Sequence, residues 1–214
     1  MTPSPLHLAL LSLWTLALAA SAYHSYDLFT WILEVFPAVI GIGLLIVTYR
    51  RFRLTDLLYG LILVHSLILM LGGHYSYARV PLGFWMENIF GFTRNNYDRI
   101  GHFAQGFVPA IIARELFLRH KVIRRGAWMV TVIILVCLGI SAIYELFEWR
   151  TAVFSGSAAE AFLGTQGDPW DTQEDMFTTG IGASAALLLL SRVHDRALSR
   201  LTLNGSGAEE RNPQ

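Results

Sequence analysis

Acidic side chains crowd two short stretches of the chain, Tyr144-Glu145-Leu146-Phe147-Glu148-Trp149 and Gly164-Thr165-Gln166-Gly167-Asp168-Pro169-Trp170-Asp171-Thr172-Gln173-Glu174-Asp175-Met176. Both run directly into long apolar segments, where an ionised carboxylate is costly unless it is paired, wetted or bound to a cation. A third polar group opens another apolar run: Asp98, His102 and Gln105, spaced four and three apart, fall on one stripe of a helix. Glu145 and Glu148, three apart, share a face. Asp168, Asp171 and Asp175 line one side of the segment they begin, with Thr178 and Gly182 continuing the row. Several carboxylates with one imidazole suit a divalent cation such as Zn, Mn, Fe or Mg, and Ca through oxygen ligands alone. The candidate metal ligands are His102, Glu145, Glu148, Asp171 and Asp175. Asp98 is spaced to orient His102 or to act as a base. A metal held there would lower the pKa of a bound water, with a neighbouring glutamate such as Glu148 moving the proton.

The spacing matches no established metal signature. There is no His-Glu-x-x-His, and Glu145 is followed three residues on by Glu148 rather than by the histidine of a di-iron bundle. Ion pairing with Arg99 or Arg150 would account for the two glutamates, and a helix N-terminus favours one or two acids through capping and the macrodipole. Four acids between residues 168 and 175 exceed that need.

Composition says what must hold these groups. With 54% hydrophobic residues, 15% charged residues and a mean hydropathy of +0.46, the chain is too apolar for an ordinary soluble domain. Apolar stretches of membrane-spanning length fall at about 6–23, 29–49, 54–72, 98–118, 127–148 and 175–193. The expected fold is an all-α, polytopic membrane bundle of six transmembrane helices. It forms a single domain over residues 1–200, with a disordered cytoplasmic tail over 201–214. Arg50, Arg51 and Arg53 follow the second span, Arg119, Lys121, Arg124 and Arg125 the fourth, and Arg192, Arg196 and Arg200 close the sixth. Twelve of the sixteen Lys and Arg then lie on one side, which the positive-inside rule makes cytoplasmic together with both termini. Eleven of the sixteen acids face the other way. The fourth and sixth spans enter from outside and the fifth exits there. All three carboxylate stripes therefore reach the same depth on the extracytoplasmic side.

Smaller features fit the same picture. Ala19-Ala20-Ser21-Ala22 resembles a cleavage site, but residues 1–10 hold no Lys or Arg, so the first span is expected to stay as an anchor. The loop from Gly73 to Tyr97 carries seven aromatic residues and suits a short helix in the headgroup layer, serving as an interfacial belt or a lid. Gly180 to Ala186 is rich in small residues, which allows close helix packing. Glu34 and Asp56 read as interfacial charges. His65 reads as a buried histidine bonded to a neighbouring helix, and His74 as a possible addition to the site. Cys137 is the single cysteine, so no intrachain disulfide can form. No basic patch with interleaved aromatics suggests nucleic acid. The partners implied are membrane lipids and a lipid-linked substrate; nothing in the chain specifies an oligomeric state.

The segments Asn95-Asn96-Tyr97-Asp98-Arg99-Ile100-Gly101-His102-Phe103, 144–149 and 164–176 together resemble the YjdF-like family of bacterial inner-membrane proteins over nearly the whole length. The resemblance implies a polytopic plasma-membrane protein of unknown biochemical role. A looser similarity is to VanZ-like proteins, which share the order Asp-Lys-x-x-His-Phe, a Glu-x-x-Gln pair and an Asp-led final helix. Here Arg99 replaces the lysine and Glu148 the glutamine. That similarity implies an envelope substrate.

Three functions are open to this sequence. The first is a metal-dependent enzyme acting on a lipid or lipid-linked envelope precursor. The second is a small ion- or proton-coupled transporter, which would need polar residues continuing toward the cytoplasm beyond His65. The third is a structural or assembly protein whose acids form ion pairs.

Overall fold

The computed structural model describes residues 3–155, 162 and 165–209, with side chains described as far as residue 201. Seven α-helices and one 3-10 turn make up its regular structure, with no strand among the described residues. They are α1 (Pro5–Ala22), α2 (Leu28–Thr48), α3 (Asp56–Tyr75), the 3-10 turn Tyr77–Arg79, α4 (Pro81–Phe90), α5 (Tyr97–Arg119), α6 (Ala127–Ser155) and α7 (Asp171–Glu209). α7 runs into the segment 201–214 expected as a tail; residues 210–214, and most of the small-residue loop before Thr165, lie outside the described residues.

Five of these helices, α1, α2, α3, α6 and α7, are long and apolar enough to cross a membrane. α5 has the length, 23 residues, but carries Asp98, Arg99 and His102 near one end and Arg114, Glu115 and Arg119 near the other. Its position compensates for that polarity. Twelve of its residues are buried, against three of the 18 in α1, because α3, α6 and α7 pack around it. A polar helix is tolerated at membrane depth when neighbours shield it from lipid.

α5 and α7 run parallel, since Asp98 approaches Asp171 at one end and Arg114 meets His194 at the other. Small residues let them touch. A Cβ on Gly106 would collide with the Thr179 carbonyl, and one on Gly182 with the Phe103 carbonyl, so backbone lies on backbone. Ala183 and Ala186 are fully buried in the same seam. The row along α7 that faces this seam is Asp171, Asp175, Thr179 and Ala183, steps of four, so Thr179 takes the place expected for Thr178.

α6 returns antiparallel against the pair. Below the carboxylates, Ala110, Ile111, Ile133, Cys137, Ala183 and Ala186 form a layer with no exposure to solvent. α1 and α2 flank α3 around Trp14, Val35 and Met70. Ser4 caps α1 ahead of Pro5, and Asp27 caps α2 by accepting from the Thr30 N–H at 2.7 Å. The aromatic stretch contains a short helix, as expected: α4 exposes Phe84, Trp85 and Phe90. Tyr77 and Tyr97 instead turn inward, and the Tyr97 hydroxyl donates to the Ile68 carbonyl at 3.0 Å.

Candidate functional site

The starts of two helices, an inner turn of a third and two loops build the carboxylate site. Asp98 and His102 come from the first two turns of α5, Glu145 from α6, and Asp171 and Asp175 from the start of α7, where the macrodipole favours acids. The loops are laced together. Asn95 donates its N–H to Gln166 Oε1 at 3.1 Å, and Gln166 returns Nε2 to the Asn95 carbonyl at 2.7 Å. Asn95 also binds the Val80 carbonyl and accepts from the Tyr97 N–H, which fixes the entry into α5.

Two arginines occupy the middle. Arg94 reaches Asp171 Oδ1 at 2.5 Å, Asp98 Oδ2 at 3.2 Å and the Thr165 carbonyl at 2.7 Å. Arg99 pairs with Asp175 Oδ1, with Glu174 Oε2 at 2.8 Å and with Asp171 Oδ1 at 3.3 Å. Asp168 Oδ2 stands 3.8 Å from Arg94 and 3.6 Å from Arg99. Thus Asp98, Asp168, Asp171 and Glu174 are each paired with a guanidinium group, and Asp168 and Asp171 are shared between the two arginines.

Glu145 is left out of that network. Its Oε1 is buried and has no hydrogen-bond partner among the described residues, although Thr172 stands beside the carboxylate. His102 Nε2 lies 3.9 Å from this oxygen and 3.6 Å from Asp175 Oδ2. One ligand atom from each of His102, Glu145 and Asp175 falls within 4.8 Å of the others, and Asp98, Asp171 and Asp175 form a second such group. Glu148 belongs to neither. It is half-buried on α6, one turn from Glu145, with no hydrogen bond or ion pair among the described residues.

The imidazole is oriented from its other nitrogen. His102 Nδ1 lies 3.0 Å from Gln105 Oε1, so an N–H there donates to the amide oxygen and leaves the Nε2 lone pair facing Glu145 and Asp175. The orienting contact that spacing suggested for Asp98 is thus made by Gln105, and Asp98 is engaged by Arg94. Behind them, Thr179 Oγ1 lies 3.1 Å from the His102 carbonyl, 3.2 Å from Gln105 Oε1 and 3.2 Å from Ser141 Oγ.

Several polar residues sit elsewhere than expected. Glu34, read as an interfacial charge, is buried by protein, because α2 turns it toward α6, where the Tyr144 hydroxyl lies 3.4 Å from Oε2. His74 does not join the site; its Nδ1 lies 3.0 Å from the Ser21 carbonyl and ties α3 to α1. His65 makes no hydrogen bond among the described residues. At the opposite end of the α5–α7 pair is a cluster that helix periodicity did not reveal. Glu115 and His194 have no exposure and meet at 2.9 Å. Thr55 donates to Glu115 through Oγ1 at 2.8 Å, Arg119 through Nη1 at 2.8 Å, and Arg114 joins His194 to Asp195. An ionisable residue within a span is itself the signal that could have found Glu115.

Fold and site together define a multi-pass helical membrane protein with a buried polar cluster at one end. Residues 6–196 match the family described as "Predicted membrane protein (DUF2238)", and the chain belongs to it. It is 47% identical over 189 residues, covering 88% of this chain and 90% of the relative, to inner membrane protein YjdF of Escherichia coli (strain K12). No solved structure matches. The chain is accordingly a protein of the bacterial inner membrane.

Proposed function

We propose that the protein is a metal-dependent enzyme of the extracytoplasmic membrane face, with a divalent cation held by His102, Glu145 and Asp175. The observation that carries this is the orphaned Glu145 Oε1, a buried acceptor with no donor, beside an imidazole lone pair. A buried oxygen left unsatisfied costs about 1–3 kcal/mol, and a cation removes that cost. Two ligands about 2.1 Å from a tetrahedral ion stand about 3.4 Å apart. The observed separations of 3.6 and 3.9 Å need only a small contraction. One imidazole with two carboxylates suits Zn, Mn or Fe, and Mg with added waters.

Three protein ligands leave a coordination position open, the pattern of catalytic rather than structural sites. A cation there would supply an acidified water. Glu148, one turn along α6 and free of an ion pair, is placed to carry its proton. Asp171, which sequence spacing offered as a ligand, serves in this reading to hold Arg94 and Arg99, and Asp98 to hold Arg94. The substrate class that fits is a lipid or lipid-linked envelope precursor, since the exposed aromatics of α4 border the same end. In this reading α5 is a sixth crossing, and the arginine-rich end of the bundle is cytoplasmic.

A coupled transporter is less well supported. Polar clusters occur at both ends of α5 and α7, but the layer of Ala110, Ile111, Ile133, Ala183 and Ala186 separates them. A structural role has one observation in its favour, the ion pairs that Arg94 and Arg99 make with five acids. Elemental analysis of the purified protein separates these readings. The expected result is one equivalent of metal in the wild type, lost in His102→Ala and Glu145→Ala with folding intact; a folded, metal-free wild type would contradict the proposal.

A further inference from the structure

A cavity of about 340 Å³ lies at the end of the bundle opposite the carboxylates, between the start of α3 and the turns of α7 from Val193 to Leu201. Arg53, Thr55 and Asp56 line one wall, and Arg196, Arg200 and Leu201 the other. Arg196 and Arg200, four apart, share a helix face, where like charges repel. Neither makes an ion pair among the described residues. Arg53 gives one N–H to Asp56 Oδ1 at 3.2 Å, while its Nε–H is buried without a partner. The one carboxylate in the wall is already shared, since His7 Nε2 lies 2.9 Å from the same Asp56 oxygen.

The start of α3 adds to this positive surface. Thr55 holds the N-cap position but makes no side-chain cap. Its hydroxyl and its N–H both go to Glu115, at 2.8 and 3.1 Å, so the first-turn amides lack their usual side-chain acceptor. Three guanidinium groups from two facing elements thus surround a space lined by a single, engaged carboxylate. Arginine forks from different directions match the several oxygens of a tetrahedral phosphate better than the two of a carboxylate.

We propose that this cavity binds a phosphate group with net negative charge, carried either by an anionic phospholipid headgroup or by a small soluble phosphate ester. The site is separate from the carboxylate cluster and does not depend on any metal there. Its position at the basic end puts it at headgroup depth, where clustered arginines attract anionic lipid.

The test uses the full-length protein in neutral detergent, with native mass spectrometry and calorimetry. The probes are short-chain phosphatidylglycerol, phosphatidylcholine of the same chain length, and glycerol 3-phosphate. Phosphatidylglycerol is expected to bind the wild type at least tenfold more tightly than the Arg196→Gln/Arg200→Gln double variant. Arg192→Gln, exposed on α7 and outside the cavity, should bind as the wild type does. Glycerol 3-phosphate binding with the same dependence on Arg196 and Arg200 assigns the site to a soluble ester; its failure alongside lipid binding assigns it to the headgroup. Should the double variant unfold, Arg200→Gln alone must still weaken binding at least threefold. Equal affinity of wild type and variants for every probe, no binding at all, or phosphatidylcholine binding as tightly as phosphatidylglycerol would overturn the proposal.

Discussion

His102 Nε2 stands 3.9 Å from Glu145 Oε1, across the gap between α5 and α6, and that oxygen receives no hydrogen bond from the described residues. The contact is too long for a good hydrogen bond and too buried to be indifferent. Asp98, Asp168, Asp171, Glu174 and Asp175 nearby each pair with an arginine, whereas Glu148 and Glu34 pair with none among the described residues. The pair therefore lies where the surrounding ion pairs end.

Gln105 should matter without touching the metal. It holds His102 Nδ1 at 3.0 Å, and loss of such an orienting partner typically lowers metal affinity 10–100-fold. Gln105→Leu is expected to weaken binding in that range, measured by competition with a chelating dye. Gln105→Glu, which keeps an acceptor, should retain it. An unchanged affinity in Gln105→Leu would mean the imidazole is positioned by other contacts.

Arg99 is expected to act on stability. It pairs with Asp175, Glu174 and Asp171, and removing one partner of a buried ion pair costs about 3–5 kcal/mol. Arg99→Gln should lower the melting temperature in detergent by several degrees. Arg99→Lys should restore only part, because a single ammonium cannot reproduce the fork. Adding Asp175→Asn to Arg99→Gln should recover some stability, as the double variant no longer strands the most deeply buried of these charges.

The seam between α5 and α7 gives a steric test. Gly182 faces the Phe103 carbonyl and Phe107 amide, which are backbone and cannot yield as a flexible side chain would. Gly182→Ala should destabilise by about 1–3 kcal/mol, the usual range for overpacking. Gly139→Ala, with nothing within 4 Å of the new methyl, should be neutral or slightly stabilising. Equal melting temperatures for the two variants would mean the helices are not in contact there.

At the basic end, Glu115 is fully buried and satisfied by His194, Thr55 and Arg119. Glu115→Ala leaves those donors without an acceptor and is expected to reduce folded yield severely, measured as monodisperse protein after extraction. Glu115→Gln keeps one acceptor and should be milder. If both variants behave as wild type, the buried pair contributes nothing to the fold.

Much of this architecture was readable in the residues. Helices α1, α2, α3 and α6 followed from apolar runs of membrane-spanning length, and α7 began at Asp171, four residues early, because its first-turn acids suit the helix N-terminus. The convergence of His102, Glu145 and Asp175 followed from alternating helix direction alone. Partner choice did not follow. Arg94 lies in a loop, where no periodicity indicates which carboxylates it will meet. Glu115 and His194 are 79 positions apart, and only the register of α5 against α7 brings them together. The burial of Glu34 depends on α2 facing Tyr144, which helix length does not determine.

Metal binding by the wild type compared with Glu145→Gln tests the central claim most directly, because the substitution keeps the shape and removes the charge. After chelator treatment and dialysis, calorimetric titration with Zn or Mn should give one site in the wild type and at least tenfold weaker binding in the variant. Identical affinities for the two proteins, or no saturable binding by folded wild type, would contradict the account.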